Sequence, residues 1–264
     1  MDSLFMGLPY GFSLFDDVKD FLIPCRALSR IPENAVTVIS VLFPYYLGEE
    51  VYEKSNISRY AVSADYHIIT GKIIEEIAEN LRKKFPDARF EAFVDNSPLP
   101  EVRCAVNAGL GVMGINNLFI NSEYGSWVFL GEIVTDMYFE PYKGEKSLCD
   151  GCMECMNACP VNAITGREII KDKCLSFLSQ KKGELPAEIA AQIEKTGCAW
   201  GCDICQKVCP HNKNAKTTPI REFIETAIPV VTKETEIEDR AFSWRGKKVI
   251  DRNIDILENS HIKN

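Results

Sequence analysis

The sequence predicts an α/β layer followed by a small cysteine-built module. Three observations carry this: a β-branched run at Ala35–Phe43, helical apolar periodicity beyond it, and two tight cysteine groups in the second half. The run Ala35-Val-Thr-Val-Ile-Ser-Val-Leu-Phe43 follows the turn-forming Pro32-Glu-Asn34 and reads as a buried strand. From Ser58 to Phe85 the positions Ile68, Ile69, Ile73, Ile74, Ile77 and Leu81 recur at helical spacing, so a long amphipathic helix is expected, stopped by Pro86. Arg89–Val94 is the next strand and Leu99–Ala108 a short helix closed by Gly109, with two further strands around Asn117–Asn121 and Trp127–Asp136. After Tyr142-Lys-Gly-Glu-Lys146 the composition turns abruptly to cysteine and small residues, which marks a domain boundary. Pro186–Glu194 reads as a helix between the cysteine groups, and the mixed-charge stretch Lys233–Asn264 as a short helical tail on the surface. The expected domains are 1–143, 144–215 and a helical tail, 216–264.

A chain of 264 residues with 46% hydrophobic content can bury one good core and a smaller satellite. Its longest apolar stretch, Val36–Phe43, is broken by Thr37 and Ser40 and is too short to cross a bilayer, so no membrane association is expected. The net charge of -8, with no basic aromatic-rich stripe, argues against tight binding of a phosphate backbone. The N-terminus, MDSLFMGLPYGFSLFDD, lacks the basic start and long apolar run of a secretory signal. Reduced thiols in a cytoplasmic protein are therefore expected.

Seven of the 11 cysteines form two groups, Cys149-x2-Cys152-x2-Cys155-x3-Cys159-Pro160 and Cys202-x2-Cys205-x3-Cys209-Pro210, with Cys174 between them. A cubane cluster needs four sulfur ligands; a tight loop supplies three, and in the bacterial ferredoxin pattern the cysteine before proline serves the other cluster. Applied here, Cys149, Cys152, Cys155 and Cys209 would hold one [4Fe-4S] cluster, and Cys159, Cys174, Cys202 and Cys205 a second. Structural zinc is the competing reading, but zinc sites favour separated pairs over three cysteines at a three-residue period followed by Cys-Pro. Cys25, Cys104 and Cys198 fall outside the pattern and read as small buried hydrophobes.

Gly109-Leu-Gly111-Val-Met-Gly114 matches a dinucleotide fingerprint, yet it follows a helical segment and leads into a strand, the reverse of a Rossmann loop. A tight turn that lets a planar cofactor or a neighbouring segment approach is the better reading. His67 reads as a packed core imidazole, with ligand or hydrogen-bond donor as alternatives, while His211 and His261 are isolated. No P-loop or Ser/His/Asp arrangement can be assembled, so any catalysis here is carried by electrons.

Ile57-Ser-Arg-Tyr-Ala61 with Asp65-Tyr-His67, Phe93-Val-Asp95-Asn-Ser-Pro98, Ala108-Gly-Leu-Gly111, Gly125-Ser-Trp-Val-Phe-Leu-Gly-Glu132, and both cysteine groups with Gly201-Cys-Asp-Ile-Cys-Gln206 run in order from about residue 35 to residue 212. Together they resemble the cobalamin-dependent epoxyqueuosine reductases, themselves similar to the reductive dehalogenases. The resemblance implies a corrinoid-binding reductase domain of α/β (α+β) type followed by a bacterial-ferredoxin-like double [4Fe-4S] module. It further implies that electrons pass from an external donor, ferredoxin or flavodoxin, through the clusters to cobalamin, and that epoxyqueuosine in tRNA is reduced to queuosine. It makes Asp95 the proton donor; capping of the following turn is the alternative role of that residue. Ser58, Asp95, Leu130, Glu132, Ser176 and Gly197 lie in the segments that line the corrinoid in this family.

The chain departs from the family at four places. Ile115 follows Gly114 where the family has lysine, Val112 replaces a tryptophan, and Pro210-His211-Asn212 replaces Pro-Trp-Asn. The fourth is the end of the chain, soon after Val249-Ile-Asp-Arg-Asn253, about where the C-terminal helical repeats of the full-length family would begin; a short form with a weakened grip on tRNA is expected. An unidentified smaller substrate, and an electron-transfer protein without corrinoid catalysis, are the alternatives.

Overall fold

The computed structural model describes residues 1–144 and 147–261; residues 145–146 of the boundary segment and 262–264 of the expected tail lie outside the described residues. In chain order the first elements are β1 (Tyr10–Leu14), β2 (Thr37–Pro44), α1 (Glu49–Tyr52), α2 (Tyr66–Lys84), β3 (Phe90–Phe93), α3 (Glu101–Asn107), β4 (Val112–Met113), β5 (Phe119–Ile120) and β6 (Val128–Thr135). They continue with α4 (Glu154–Asn157), α5 (Leu175–Ser179), α6 (Ala187–Thr196), α7 (Ile204–Lys207), α8 (Arg221–Glu225) and α9 (Lys247–His261). Two compact units result: one made of Met1–Pro44, His67–Gly114 and Leu118–Asp150, the other of Tyr45–Tyr66, Ile115–Asn117 and Gly151 onward.

In the first unit β1, β2, β6 and β3 form a sheet in that order, every neighbouring pair antiparallel. Strand β2 is buried along its whole length, as its β-branched composition requires. The apolar stripe of α2, Ile69, Ile73, Ile74, Ile77 and Leu81, is buried, and Ile74 lies against Gly131 of β6, placing α2 on one sheet face. Ile68, counted in that stripe from spacing alone, is instead 58% exposed.

Helix α3 covers the opposite face, where Ala105 and Ala108 pack with Leu42, Leu110 and Phe119, and Cys104 with Val38, Phe93 and Val134. Its approach is so close that a Cβ built on Gly11 of β1 would fall on the Ala108 carbonyl oxygen. Gly11→Ala is expected to destabilise the protein by about 1–3 kcal/mol, because backbone rather than a flexible side-chain tip must move; thermal unfolding of the variant measures this.

The glycine loop serves a neighbouring segment. A Cβ at Gly111 would strike the Ile120 carbonyl of β5, so the bare backbone lets the β4/β5 hairpin fold onto it.

In the second unit the residues expected to open the long helix behave otherwise. The Ser58 N–H donates to the Trp200 carbonyl (2.8 Å), Ala64 N–H to Thr226 Oγ1 (3.0 Å) and Asp65 N–H to the Asp239 carbonyl (2.7 Å). These long-range bonds outbid helical ones, so Arg59–Ala61 is a 3-10 turn and α2 starts only at Tyr66. The C-terminal stretch is likewise no surface tail: Val231, Phe242, Val249, Ile250 and Ile254 are buried in one cluster with Tyr52, Ile57, Ala61 and Trp200. Arg252 and Asn253 of α9 donate to the Ser179 carbonyl at 3.0 and 2.8 Å, satisfying an acceptor left open where α5 ends.

Candidate active site and cluster ligands

In the first unit a cleft of about 730 Å³ opens beside α3, walled by Ile23, Leu99, Val102, Val106 and Met113 with Asp95 and Glu101 among its polar groups. Asp95 follows β3 and shares a positive φ of 41° with Asn96, a backbone state that costs most side chains about 1–2 kcal/mol and that Asp and Asn tolerate best. Its Oδ1 accepts the Asn96 N–H (2.6 Å), so Asp95 does brace the following turn. Its Oδ2 meets Nε2 of His67, at the start of α2, at 2.8 Å, and the two side chains are 42% and 38% exposed. His67 is therefore no packed core imidazole; it stands as the polar partner of the candidate acid.

The Asp95 backbone N–H bonds to the carboxylate of Glu101, in the first turn of α3. Burial, helped by the nearby Asp95 charge, pushes the Glu101 carboxyl up to about 7. Because that folded value lies above the ordinary one, the stability it contributes is present in acid and lost as pH rises through about 7. Glu132 lies deeper, on β6, with 0% exposure, directly across from Ser40 of β2 and Phe93 of β3. Both of its carboxylate oxygens, Ser40 Oγ and Glu101 Oε1 lack hydrogen-bond partners. Burial first, then Glu101, drives the Glu132 carboxyl well above the usual range.

Of the residues aligned with the corrinoid lining, Leu130 is half-buried on the α3 side of the sheet with Glu132, in the same unit as Asp95. Ser58, Ser176 and Gly197 belong to the second unit: Ser58 is buried, Ser176 half-buried in α5, and Gly197 exposed as the left-handed cap of α6. Cys25 is not a buried hydrophobe, since it is half-exposed on the cleft wall with its thiol 3.7 Å from the Asn96 carbonyl. Cys104 is buried, as expected. The Cys198 thiol donates to the Trp200 carbonyl at 3.2 Å.

None of the 11 cysteines is paired in a disulfide. Cys159, Cys174, Cys202 and Cys205 are electrostatic neighbours in the second unit: Cys202 feels Cys174 and Cys159, and Cys205 feels Cys202, Cys174 and Cys155. Helices α4 and α7, which carry Cys155 and Cys205, pack together. Cys209 is buried in the same unit, while Cys149 falls in the last segment of the first. Burial pushes the Cys202 and Cys205 thiols up to about 11 and about 12, so they become thiolates only when a cation compensates them. Among the described residues no three His, Cys, Asp or Glu side chains close around one ion; the wider thiol set suits the corners of a cubane.

Asp203, between Cys202 and Cys205, escaped sequence reasoning altogether. Its buried carboxylate accepts the Ser58 hydroxyl and the Arg59 N–H (2.7 Å). The Arg59 guanidinium beside it holds both Glu49 oxygens at 2.6 and 2.7 Å and lies over the Tyr52 ring at 4.7 Å.

Residues 148–212 match the family described as "4Fe-4S double cluster binding domain", and residues 27–96 the family described as "Epoxyqueuosine reductase QueG, DUF1730". The chain is 34% identical over 241 residues to the epoxyqueuosine reductase of Lactococcus garvieae, covering 84% of this chain and 68% of that protein. It spans about two thirds of the length of the curated relatives it matches. Its fold is similar to an epoxyqueuosine reductase solved with a tRNA-Tyr epoxyqueuosine-modified stem loop (TM-score 0.78, 27% identity, 94% of this chain and 76% of that chain). It is also similar to the Bacillus subtilis epoxyqueuosine reductase with its catalytic aspartate loop swung out of the active site (TM-score 0.77, 26% identity, 94% and 76%). Among the described residues no helix is long and apolar enough to cross a membrane.

Proposed function

Since the chain belongs to the epoxyqueuosine reductase family, we propose that it removes the epoxide oxygen of epoxyqueuosine in a tRNA anticodon, consuming two electrons and two protons and releasing water. The observation that carries this reading is the Asp95 carboxyl on the wall of the first-unit cleft, held by His67 at 2.8 Å. An oxygen leaving as alkoxide needs a proton as its carbon–oxygen bond breaks, and Asp95 is the group placed to give it. His67 fixes the Asp95 carboxyl through Oδ2 and is placed to return the proton after turnover.

The chemistry of this chain fits the cofactors of the reaction. The largely apolar cleft with a few polar groups suits a corrin face, and the eight cysteines suit two [4Fe-4S] clusters. Bound cobalamin supplies a strongly reducing metal centre, with the clusters as one-electron carriers from a cytoplasmic ferredoxin or flavodoxin. The neighbouring thiols support Cys159, Cys174, Cys202 and Cys205 as one ligand set, leaving Cys149, Cys152, Cys155 and Cys209 for the other. Ser58, Leu130, Glu132, Ser176 and Gly197 remain the proposed corrinoid-lining positions, through backbone groups where their side chains are buried.

Anaerobically purified protein titrated with cobalamin should show saturable binding and a shifted corrinoid spectrum, and should then reduce an epoxyqueuosine-bearing stem loop. Absence of binding overturns the reading in favour of a cluster protein that only passes electrons. Binding without stem-loop reduction points to a smaller substrate.

A further inference from the structure

Two carboxyls behind Asp95 have no part in the reaction as described above. Glu132 is enclosed in the apolar layer between β6 and α3, with both oxygens lacking hydrogen-bond partners and the equally unpartnered Ser40 hydroxyl opposite it. Such groups are seldom left in a core without a task, because an unpartnered buried carboxyl weakens the fold. Glu101 stands between this buried group and the cleft: one oxygen is buried without a partner, and the carboxylate accepts the Asp95 N–H.

We propose that Glu101 is the positioning residue of the Asp95 turn, gripping the Asp95 N–H when ionised and loosening it when protonated. The inference rests on Asp95 being the proton donor of the proposed reaction. A charge-assisted bond from the N–H of a left-handed residue pins the Asp95–Asn96 backbone more firmly than a neutral one.

The titratable groups around Glu101 are few. Asp95 and His67 face it from the turn and from α2, Glu132 from β6 and Cys104 from its own helix, while Arg103 and Cys25 share the cleft wall. Burial and Asp95 raise the Glu101 carboxyl to about 7 and His67 opposes them, so the grip changes within the physiological range. Of the coupled pair Glu101 ionises first, and its charge helps to hold the proton on Glu132.

Hydrogen–deuterium exchange of the peptide containing Asp95 tests this on purified cluster-loaded protein without cobalamin, with rates corrected for the intrinsic pH dependence of amide exchange. Protection should rise about fivefold as pH passes upward through about 7, the difference between a neutral and a charged acceptor. Glu101→Gln should flatten the profile, since its amide oxygen accepts at every pH, whereas Glu132→Gln, which removes none of the charges that act on Glu101, should leave the rise in place. In single-turnover assays of the loaded enzyme the same limb should disappear in Glu101→Gln. A pH-independent wild-type profile, or an unchanged rise in Glu101→Gln, overturns the proposal. Because exchange needs neither cobalamin nor substrate, that failure is distinct from a failure of cobalamin to bind, which would strike the reductase reading itself.

Discussion

Asp95→Asn should lower the single-turnover rate of epoxide reduction by about 10²–10⁴-fold, the usual contribution of a positioned general acid, while leaving both clusters and cobalamin affinity intact. The substitution suits the site. Asn tolerates the φ of 41°, its Oδ1 can still accept the Asn96 N–H while its Nδ2 faces His67 Nε2, and the Asp95 N–H toward Glu101 is unchanged. What the amide cannot do is give up a proton at the moment the epoxide oxygen departs. A variant rate within about threefold of wild type would remove Asp95 from the chemistry and leave it as the brace of its turn.

Cys174→Ser should abolish one cluster and spare the other. Cys174 immediately precedes α5, and the other cysteine between the two tight groups, Cys198, directs its thiol to the Trp200 carbonyl at 3.2 Å, so loss of Cys174 takes away the fourth corner of the set it shares with Cys159, Cys202 and Cys205. About half the iron and sulfide should be lost, and one of the two paramagnetic signals of the reduced protein should vanish. Retention of the full iron content would refute the cross-ligation. Loss of all of it would mean that the two clusters stand or fall as one assembly.

The layers of the first unit were legible because burial and periodicity coincide: the β-branched run became β2, the Ile stripe α2, and Trp127–Asp136 contains β6. β1 was missed, for Tyr10-Gly-Phe-Ser-Leu14 carries too little β-branching to announce itself, and its strand state comes from pairing with β2. The first eight residues of the expected long helix were misread for a similar reason, since partners as distant as Asp239 decide their backbone bonds. At the site, Asp95 could be found through its motif. His67 could not be told from a core residue, nor Glu101 from an ordinary surface carboxylate, and Glu132, named from its motif, could not be paired with Glu101, because only the stacking of α3 on β6 brings the carboxyls together.

The anchoring of Ser58 and Arg59 to Asp203 carries a cost in time. Ser58 leaves the ribosome 145 residues ahead of its partner, and at about 5–20 residues per second the nascent segment waits roughly seven to thirty seconds before that bond can form. Tyr52, Ile57 and Ala61 wait with it, because Trp200, Phe242 and Ile254, which bury them, emerge later still. During synthesis the stretch from Tyr45 to Tyr66 is thus an aromatic-rich loop whose apolar side chains stay uncovered until the C-terminal half of its unit has emerged.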